Sequence, residues 1–304
     1  MKKVVITGAS GFVGTALCKE LADRGIEVFA VVRSTSNIHH LESIENVKIV
    51  YCELEDILQL PNKITDCNID AFFHFAWTGT AGALRGNYDV QINNLRYACD
   101  AVEASSNLKC KKFIFASSVM EYELVASMEC EKLPSINTLY NSAKLAANYM
   151  LRALTAHYGI EYIRAVISNI YGPGEKSPRL INSSIRKLCN GEHCSFSAGE
   201  QMYDFIYITD AVKAIAAIAE KGINNRTYYI GSTNPRPLKE FLIEMKNQID
   251  PELEIGLGEL PFDGISLSYN EFDIHAVETD TAFVPTIPFC VGIKKTLEWI
   301  KEIE

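Results

Sequence analysis

From residue 3 to residue 167, six short runs of β-branched and aromatic residues alternate with longer stretches whose apolar residues recur at helical spacing. The runs read "KVVIT" (3–7), "EVFAVV" (27–32), "VKIVY" (47–51), "IDAFFHFA" (69–76), "KKFIFAS" (111–117) and "IEYIRAVI" (160–167). Helical patterns cover 12–24, 88–105 and 140–157. Runs that are apolar nearly throughout read as strands buried on both faces, and intervening helices supply the cover. Right-handed crossovers then lead to an α/β fold built on a doubly wound parallel sheet.

After Tyr171 the texture changes. "YGPGEKSPR" is a Gly/Pro-rich turn, helices are predicted at 178–190, 209–220, 237–249 and 292–303, and 250–290 reads as short strands and loops. The 304 residues suffice for one large domain or two joined ones, and 48% hydrophobic with 22% charged residues is an ordinary globular balance. A net charge of −9 argues against nucleic acid or an anionic membrane as partner. The nine cysteines contain no CxxC pair, so they read as reduced thiols, with neither a disulfide set nor a metal site. "MKKVVITG" enters a strand directly and no apolar run has membrane-spanning length, so a cytoplasmic location is expected.

"VVITGASGFVGTAL" sets Gly8, Gly11 and Gly14 between the first strand and the first helix. Glycines there let a backbone approach a pyrophosphate, and a helix N-terminus offers unpaired N–H groups at the positive end of its dipole. The spacing is one residue wider than GxGxxG, but the position between a buried strand and an amphipathic helix supports a Rossmann-like dinucleotide site. Ser10, Phe12 and Val13 belong to the same turn and are counted with it. The second strand ends in Arg33 and Ser34, without the carboxylate that would favour an unphosphorylated ribose. A guanidinium fork suits a 2′-phosphate, so NADP(H) is the expected cofactor and NAD(H) the alternative. Glu53 and Leu54 follow the third strand and are placed beside the adenine; Ala76 ends the fourth strand near the cofactor. His74, flanked by apolar residues, reads as a core histidine.

The stretch "NTLYNSAKLAANYML" places Tyr140 and Lys144 four residues apart, hence on one face of a helix. Ala143, Ala146, Ala147, Met150, Leu151 and Leu154 form an apolar stripe with the pair at its edge. A phenol titrates near 10, and an adjacent ammonium lowers that value toward useful proton exchange. "FIFASSVMEY" brings Ser117 and Ser118 to the end of the fifth strand, where a hydroxyl can hold a carbonyl oxygen while Tyr140 delivers a proton.

Taken in order, "TGASGFVG", "SSVMEY", "YNSAK", "NIYGPG" and "DFIYITDA", with a weaker match in "GIKKTLEWIKE", resemble the extended short-chain dehydrogenase/reductases. The specific resemblance is to the NAD(P)-dependent epimerase/dehydratase family, which acts mainly on nucleotide sugars. It implies a dinucleotide-binding domain over 1–170, to which 204–231 return, and a smaller mixed substrate-binding region over 171–203 and 232–304. By position Tyr140 is the general acid/base, Lys144 lowers its pKa and holds the nicotinamide ribose, and Ser118 is the hydroxyl partner with Ser117 in reserve. Asn169 corresponds to a residue that contacts nicotinamide or substrate in relatives. Val119 and Met120 stand where family dehydratases carry an acid and a base, which disfavours dehydration. Two substrate-diphosphate arginines are replaced, one by Tyr203 and one within "LPFDGISL", leaving Arg179 or Arg186 as substitutes.

The resemblance thus implies an NADPH-dependent reductase of a 4-keto(deoxy)sugar nucleotide with Tyr140 as general acid. The alternative is a nucleotide-sugar 4-epimerase using the same residues without net cofactor turnover. Non-catalytic NAD(P) sensors also occur on this fold, typically after losing the tyrosine or lysine, and both are present here. Relatives pair through helices matching 88–105 and 140–157, which makes a homodimer the expected assembly.

Overall fold

The computed structural model describes residues 1–65, 68–130 and 133–303. All six apolar runs become strands. β1 (Lys3–Thr7), α1 (Phe12–Asp23), β2 (Glu27–Val32), α2 (His39–Glu42) and β3 (Val47–Tyr51) come first. A 3-10 turn at Leu54–Gln59, α3 (Leu60–Lys63) and β4 (Ala71–His74) follow. A second 3-10 turn, Ala83–Gly86, leads into α4 (Tyr88–Asn107), β5 (Lys112–Ser118), α5 (Met120–Glu129), α6 (Thr138–Tyr158) and β6 (Glu161–Ile167). The strand patterns do not announce α5, which starts immediately where β5 ends.

β7 (Asn169–Tyr171), α7 (Leu180–Cys189), β8 (Ser195–Phe196), β9 (Met202–Tyr203), β10 (Phe205–Tyr207) and α8 (Ile208–Lys221) come next. β11 (Arg226–Ile230), β12 (Arg236–Pro237), α9 (Leu238–Ile249), β13 (Gly256–Leu257), α10 (Ala276–Thr281) and α11 (Phe289–Ile303) complete the chain. The central sheet has seven parallel strands in the order β11-β6-β5-β4-β1-β2-β3. Its seventh strand arrives from the C-terminal half: β11 pairs with β6, Arg226 opposite Ile163.

Strand parity divides the interior into two cores, because successive side chains point to opposite faces. Val4, Ile6, Val28, Ala30, Phe73 and Ile114 join α1 and α8 on one face. Val5, Phe29, Val31, Phe72, Phe113 and Phe115 join α4 and α6 on the other. There Phe72 and Phe113 stack with ring centroids 5.3 Å apart. Asn87 caps α4 by accepting from the Val90 N–H at 3.1 Å. Gly159, at φ 70°, ends α6 in the left-handed conformation that favours glycine.

α6 departs from the expected pattern in one respect. The Tyr140–Lys144 pair sits in the middle of the buried face, with Ala147, Leu151 and Thr155, while Met150 is 47% exposed. Buried Asn148 on that face accepts a hydrogen bond from the Tyr162 hydroxyl at 3.0 Å, so a polar stripe is tolerated where apolar packing was expected.

Three two-stranded sheets, β7 with β10, β9 with β12 and β8 with β13, organise the C-terminal segments. Two buried carboxylates tie those segments down. Asp204 accepts from the Tyr229 hydroxyl at 2.7 Å, the Ser232 N–H at 2.9 Å and the Ser232 hydroxyl. Asp210 accepts from the N–H groups of Thr286 and Ile287, each at 2.7 Å. The eight cysteines among the described residues are free thiols, and Cys67 lies outside those residues. Burial pushes the Cys18 and Cys110 thiols up to about 12, so both behave as small hydrophobes.

Candidate active site

The C-terminal ends of β1, β4 and β5 meet the N-terminus of α1 around a cavity of about 310 Å³. Gly8, Gly11, Phe12, Val13 and Gly14 line one side, with Ser117, Ser118, Tyr140 and Lys144 on the other. Gly8 has φ 72°, and a Cβ there would lie 2.7 Å from the Ala76 backbone nitrogen. A Cβ on Gly14 would land on the Gly8 carbonyl oxygen. Both positions therefore require glycine. Gly11 at the N-cap of α1 supplies no side-chain cap, so the first-turn N–H groups face the cavity without one. This cradle fits a dinucleotide pyrophosphate.

The other expected cofactor residues lie where the strand ends put them. Ser10 donates to Ser36 at 3.1 Å, and Ser36 accepts from the Arg33 N–H at 3.1 Å, fastening the β2 loop to the glycine turn. Arg33 itself is exposed. The Glu53 carboxylate accepts from the N–H and hydroxyl of Ser34 at 2.8 and 2.9 Å. Those two bonds, above all, lower its pKa. Leu54 opens the 3-10 turn beside it, and Ala76 N–H donates to Thr7 at 3.4 Å. His74 is buried, with Nδ1 3.0 Å from the Thr7 hydroxyl and Nε2 without a hydrogen-bond partner. Burial, with Lys144 nearby, takes it down to about 3, so it is a neutral core residue.

The two serines differ in what they touch. Ser117 accepts from Arg164 Nε at 2.9 Å and donates to Glu121, so its hydroxyl is fully engaged. Arg164 and Glu121 form a buried ion pair beneath it, and Glu121 also accepts from the Ser118 N–H at 3.0 Å. Ser118 accepts from the Met120 N–H at 3.2 Å, which leaves its own O–H for another acceptor. It faces the cavity near Tyr140, where its hydrogen bond favours the phenolate.

Tyr140 is only 7% exposed, and burial raises its pKa above the ordinary phenol value. Ser118, Arg85 and Arg179 act in the opposite sense. Lys144 shares the buried face of α6 with Tyr140. Its ammonium donates to the Ala116 carbonyl at 2.8 Å and lies 3.8 Å from the Trp77 ring centroid. Burial lowers Lys144 to about 7. The physical reason is desolvation: both groups are held by the sheet end and by Trp77, away from water.

Arg179 lines the same cavity as the glycine turn and pairs with Glu175 at 3.2 Å. Arg186 donates to the Glu175 carbonyl at 3.0 Å, and its guanidinium carbon lies 5.7 Å from the Trp299 ring centroid. Asn169 donates to the Asp204 carbonyl at 3.1 Å. With Tyr203, Val119 and Met120 it borders a narrow cleft of about 60 Å³. A third space of about 340 Å³ adjoins it, reaching from Met120 and Glu123 to Arg85, Asn141 and Asp263. Sequence reasoning missed Arg85, Trp77, Glu121, Glu123 and Arg164. For Arg85 and Trp77 the available signal was modest: a glycine-flanked loop directly after a strand that ends at the site.

The NAD dependent epimerase/dehydratase family model matches residues 4–231. The chain belongs to this family. Human dTDP-D-glucose 4,6-dehydratase is 24% identical over 320 residues, spanning 99% of this chain and 90% of that protein. A UDP-N-acetylglucosamine 4-epimerase from Methanobrevibacter ruminantium M1, solved with UDP-N-acetylmuramic acid, superposes with a TM-score of 0.83 at 25% identity. That match covers 100% of this chain and 99% of the other. A UDP-glucuronic acid 4-epimerase from Bacillus cereus, solved with UDP-glucuronic acid and NAD, has a TM-score of 0.81 at 20% identity, covering 99% and 100%. This epimerase/dehydratase family member is therefore an enzyme of the extended short-chain dehydrogenase/reductase type. Among its described residues no helix is long and apolar enough to cross a membrane, and no group of three or more His, Cys, Asp or Glu forms a metal site.

Proposed function

We propose that this family member reduces the 4-keto group of a nucleotide-linked deoxysugar, with NADPH as the reductant. The observation that carries the reading is the pairing of the Ser118 hydroxyl with a buried Tyr140 at the mouth of the glycine cradle, next to apolar Val119 and Met120. When bound, the reduced nicotinamide supplies a hydride to the carbonyl carbon. Ser118 donates to the carbonyl oxygen and orients it. Tyr140 passes its phenolic proton to that oxygen as negative charge develops there. Lys144, held at Ala116 and Trp77, fixes the nicotinamide-ribose end. Gly8, Gly11 and Gly14 cradle the pyrophosphate, and exposed Arg33 supports a 2′-phosphate at the adenosine end. Residues 171–203 and 232–304 serve as the substrate-binding region, and the enzyme works as a cytoplasmic homodimer.

Val119 and Met120 carry no transferable proton, so a dehydration step has no acid–base pair at these two positions. The likeness to 4-epimerases over the full chain favours a second reading, in which the same residues oxidise and re-reduce one carbon. Dinucleotide oxidation in the presence of a 4-keto-6-deoxysugar nucleotide separates the two. One equivalent of NADPH consumed per sugar reduced supports the reductase. A sugar isomerised with no NADPH or NADH consumed establishes the epimerase in its place. Running the same assay with NADH reads the coenzyme preference directly.

A further inference from the structure

Tyr140 has a second cation beside it that the tyrosine–lysine motif does not include. Arg85, on the 3-10 turn Ala83–Gly86, holds its guanidinium carbon 4.5 Å from the Tyr140 ring centroid. Its Nη1 donates to the Thr80 carbonyl at 3.3 Å and its Nη2 to Asn141 Oδ1 at 3.2 Å. Both partners are neutral oxygens, so these bonds fix the guanidinium without cancelling its charge. Its buried Nε has no hydrogen-bond partner. Lys144, by contrast, sits on the Trp77 face and the Ala116 carbonyl.

We propose that Arg85 is a positioning and charge-tuning residue for Tyr140, stabilising the phenolate left after proton donation through its stacked guanidinium. A cation over an aromatic face is attracted by the ring's electrons, and more strongly when the ring carries an anionic oxygen. A guanidinium is planar and more weakly hydrated than an ammonium, which suits it to stacking on a ring, whereas burial lowers the Lys144 ammonium to about 7. Arg85 thus places its positive charge on the ring itself, while the motif's own lysine is turned to Trp77 and Ala116.

The other groups that face Tyr140 are few. Glu121 comes from α5 and Ser118 from β5, while Lys144, on the same helix as Tyr140, is turned to Trp77 and Ala116. Arg179 comes from the segment before α7 and is itself paired with Glu175. Glu123 of α5 accepts from Asn141, whose amide oxygen Arg85 holds. Glu121 opposes the phenolate but is spent on Arg164, and Arg179 shares its charge with Glu175. Arg85 is left as the cation stacked on the ring with only neutral oxygens among its hydrogen-bond partners.

The proposal rests on Tyr140 being the proton donor, so its test includes a measurement that needs no substrate. Isotope-labelled tyrosine NMR, with the Tyr140→Phe variant assigning the resonance, follows the phenol through its titration in the parent, Arg85→Gln and Arg85→Lys. Removing the cation disfavours the phenolate, so the Tyr140 titration moves to higher pH in Arg85→Gln and returns toward the parent in Arg85→Lys. In the reductase assay the alkaline limb of kcat moves the same way. At neutral pH kcat falls about tenfold with KM changed less than about threefold. Arg85→Met keeps the aliphatic stem over the ring and takes the place of the glutamine variant if that does not fold. Coincident titrations in parent and neutral variant overturn the proposal, as does a loss confined to KM. An enzyme inactive on keto-sugars whose Tyr140 still shifts on Arg85 substitution would overturn the reductase reading and leave the tuning intact.

Discussion

Two hydroxyls one residue apart end β5, and their hydrogen bonds give them different work. Ser117 is locked between Arg164 and Glu121, whereas Ser118 lines the cavity and pairs with Tyr140. Ser118→Ala is expected to lower kcat by about two orders of magnitude with little change in Tm. Ser117→Ala strands polar groups and is expected to cost about 1–3 kcal/mol of stability with a smaller effect on turnover. Steady-state kinetics and thermal unfolding of both variants check this, and a reversal of the two phenotypes would exchange their roles. Lys144 carries a pH prediction. An unfolded lysine titrates near 10.4, and burial in the fold holds Lys144 at about 7. Between those values the unfolded chain binds a proton the folded one does not, so this group's contribution to stability rises with pH across the window. Below about 7 both states are protonated and the penalty is complete. Urea unfolding from about pH 7 to about pH 9 should therefore show a steeper rise for the parent than for Lys144→Met. Parallel curves would refute the assigned desolvation.

At the scale of elements, the crossing from β5 into α5 is held by charge buried between strands. Glu121 on α5 reaches down to Arg164 on β6 and to the end of β5, so one carboxylate joins three elements. Removing one partner of a buried pair leaves the other uncompensated. Arg164→Met is thus expected to destabilise by about 3–5 kcal/mol. Replacing both, as Glu121→Leu with Arg164→Met, should recover much of that, because apolar packing often matches a buried ion pair. Chemical denaturation of the two single variants and the double variant gives the coupling, and additive losses would show that the pair is not a unit. The same arrangement explains why "SVMEY" was hard to read. Nothing in five adjacent letters shows that Glu121 turns away from the cavity to meet a residue 43 positions later.

For the whole molecule, the open question is what covers α4 and α6. Tyr88, Ile92 and Tyr149 are more than 60% or at least 60% exposed, and Met150 is 47% exposed. Two copies pairing through these helices would bury them in a four-helix bundle. Sedimentation at micromolar concentration is expected to give a dimer, and Ile92→Asp a monomer that stays folded. A monomeric parent would remove the assembly from the account. The molecule also shows why the seventh strand was not among the predicted runs. "RTYYI" has strand-forming residues, but it follows a helix in a segment whose membership of the central sheet depends on pairing with β6.

Local pattern sufficed for the six apolar runs, the glycine turn and the spacing of Tyr140 and Lys144, because strand-forming runs, positive φ and helical periodicity each act within a few residues. β3, at the sheet edge, departs from the expected burial on both faces, since none of its residues is buried. What surrounds the phenol was settled only by tertiary structure. Arg85, the neighbouring Ser118 and Glu121, and Arg179 come from three separate stretches, and Lys144 turns to Trp77 and Ala116. Desolvation and long-range charge depend on which strand ends converge in space, and no window of sequence contains that convergence.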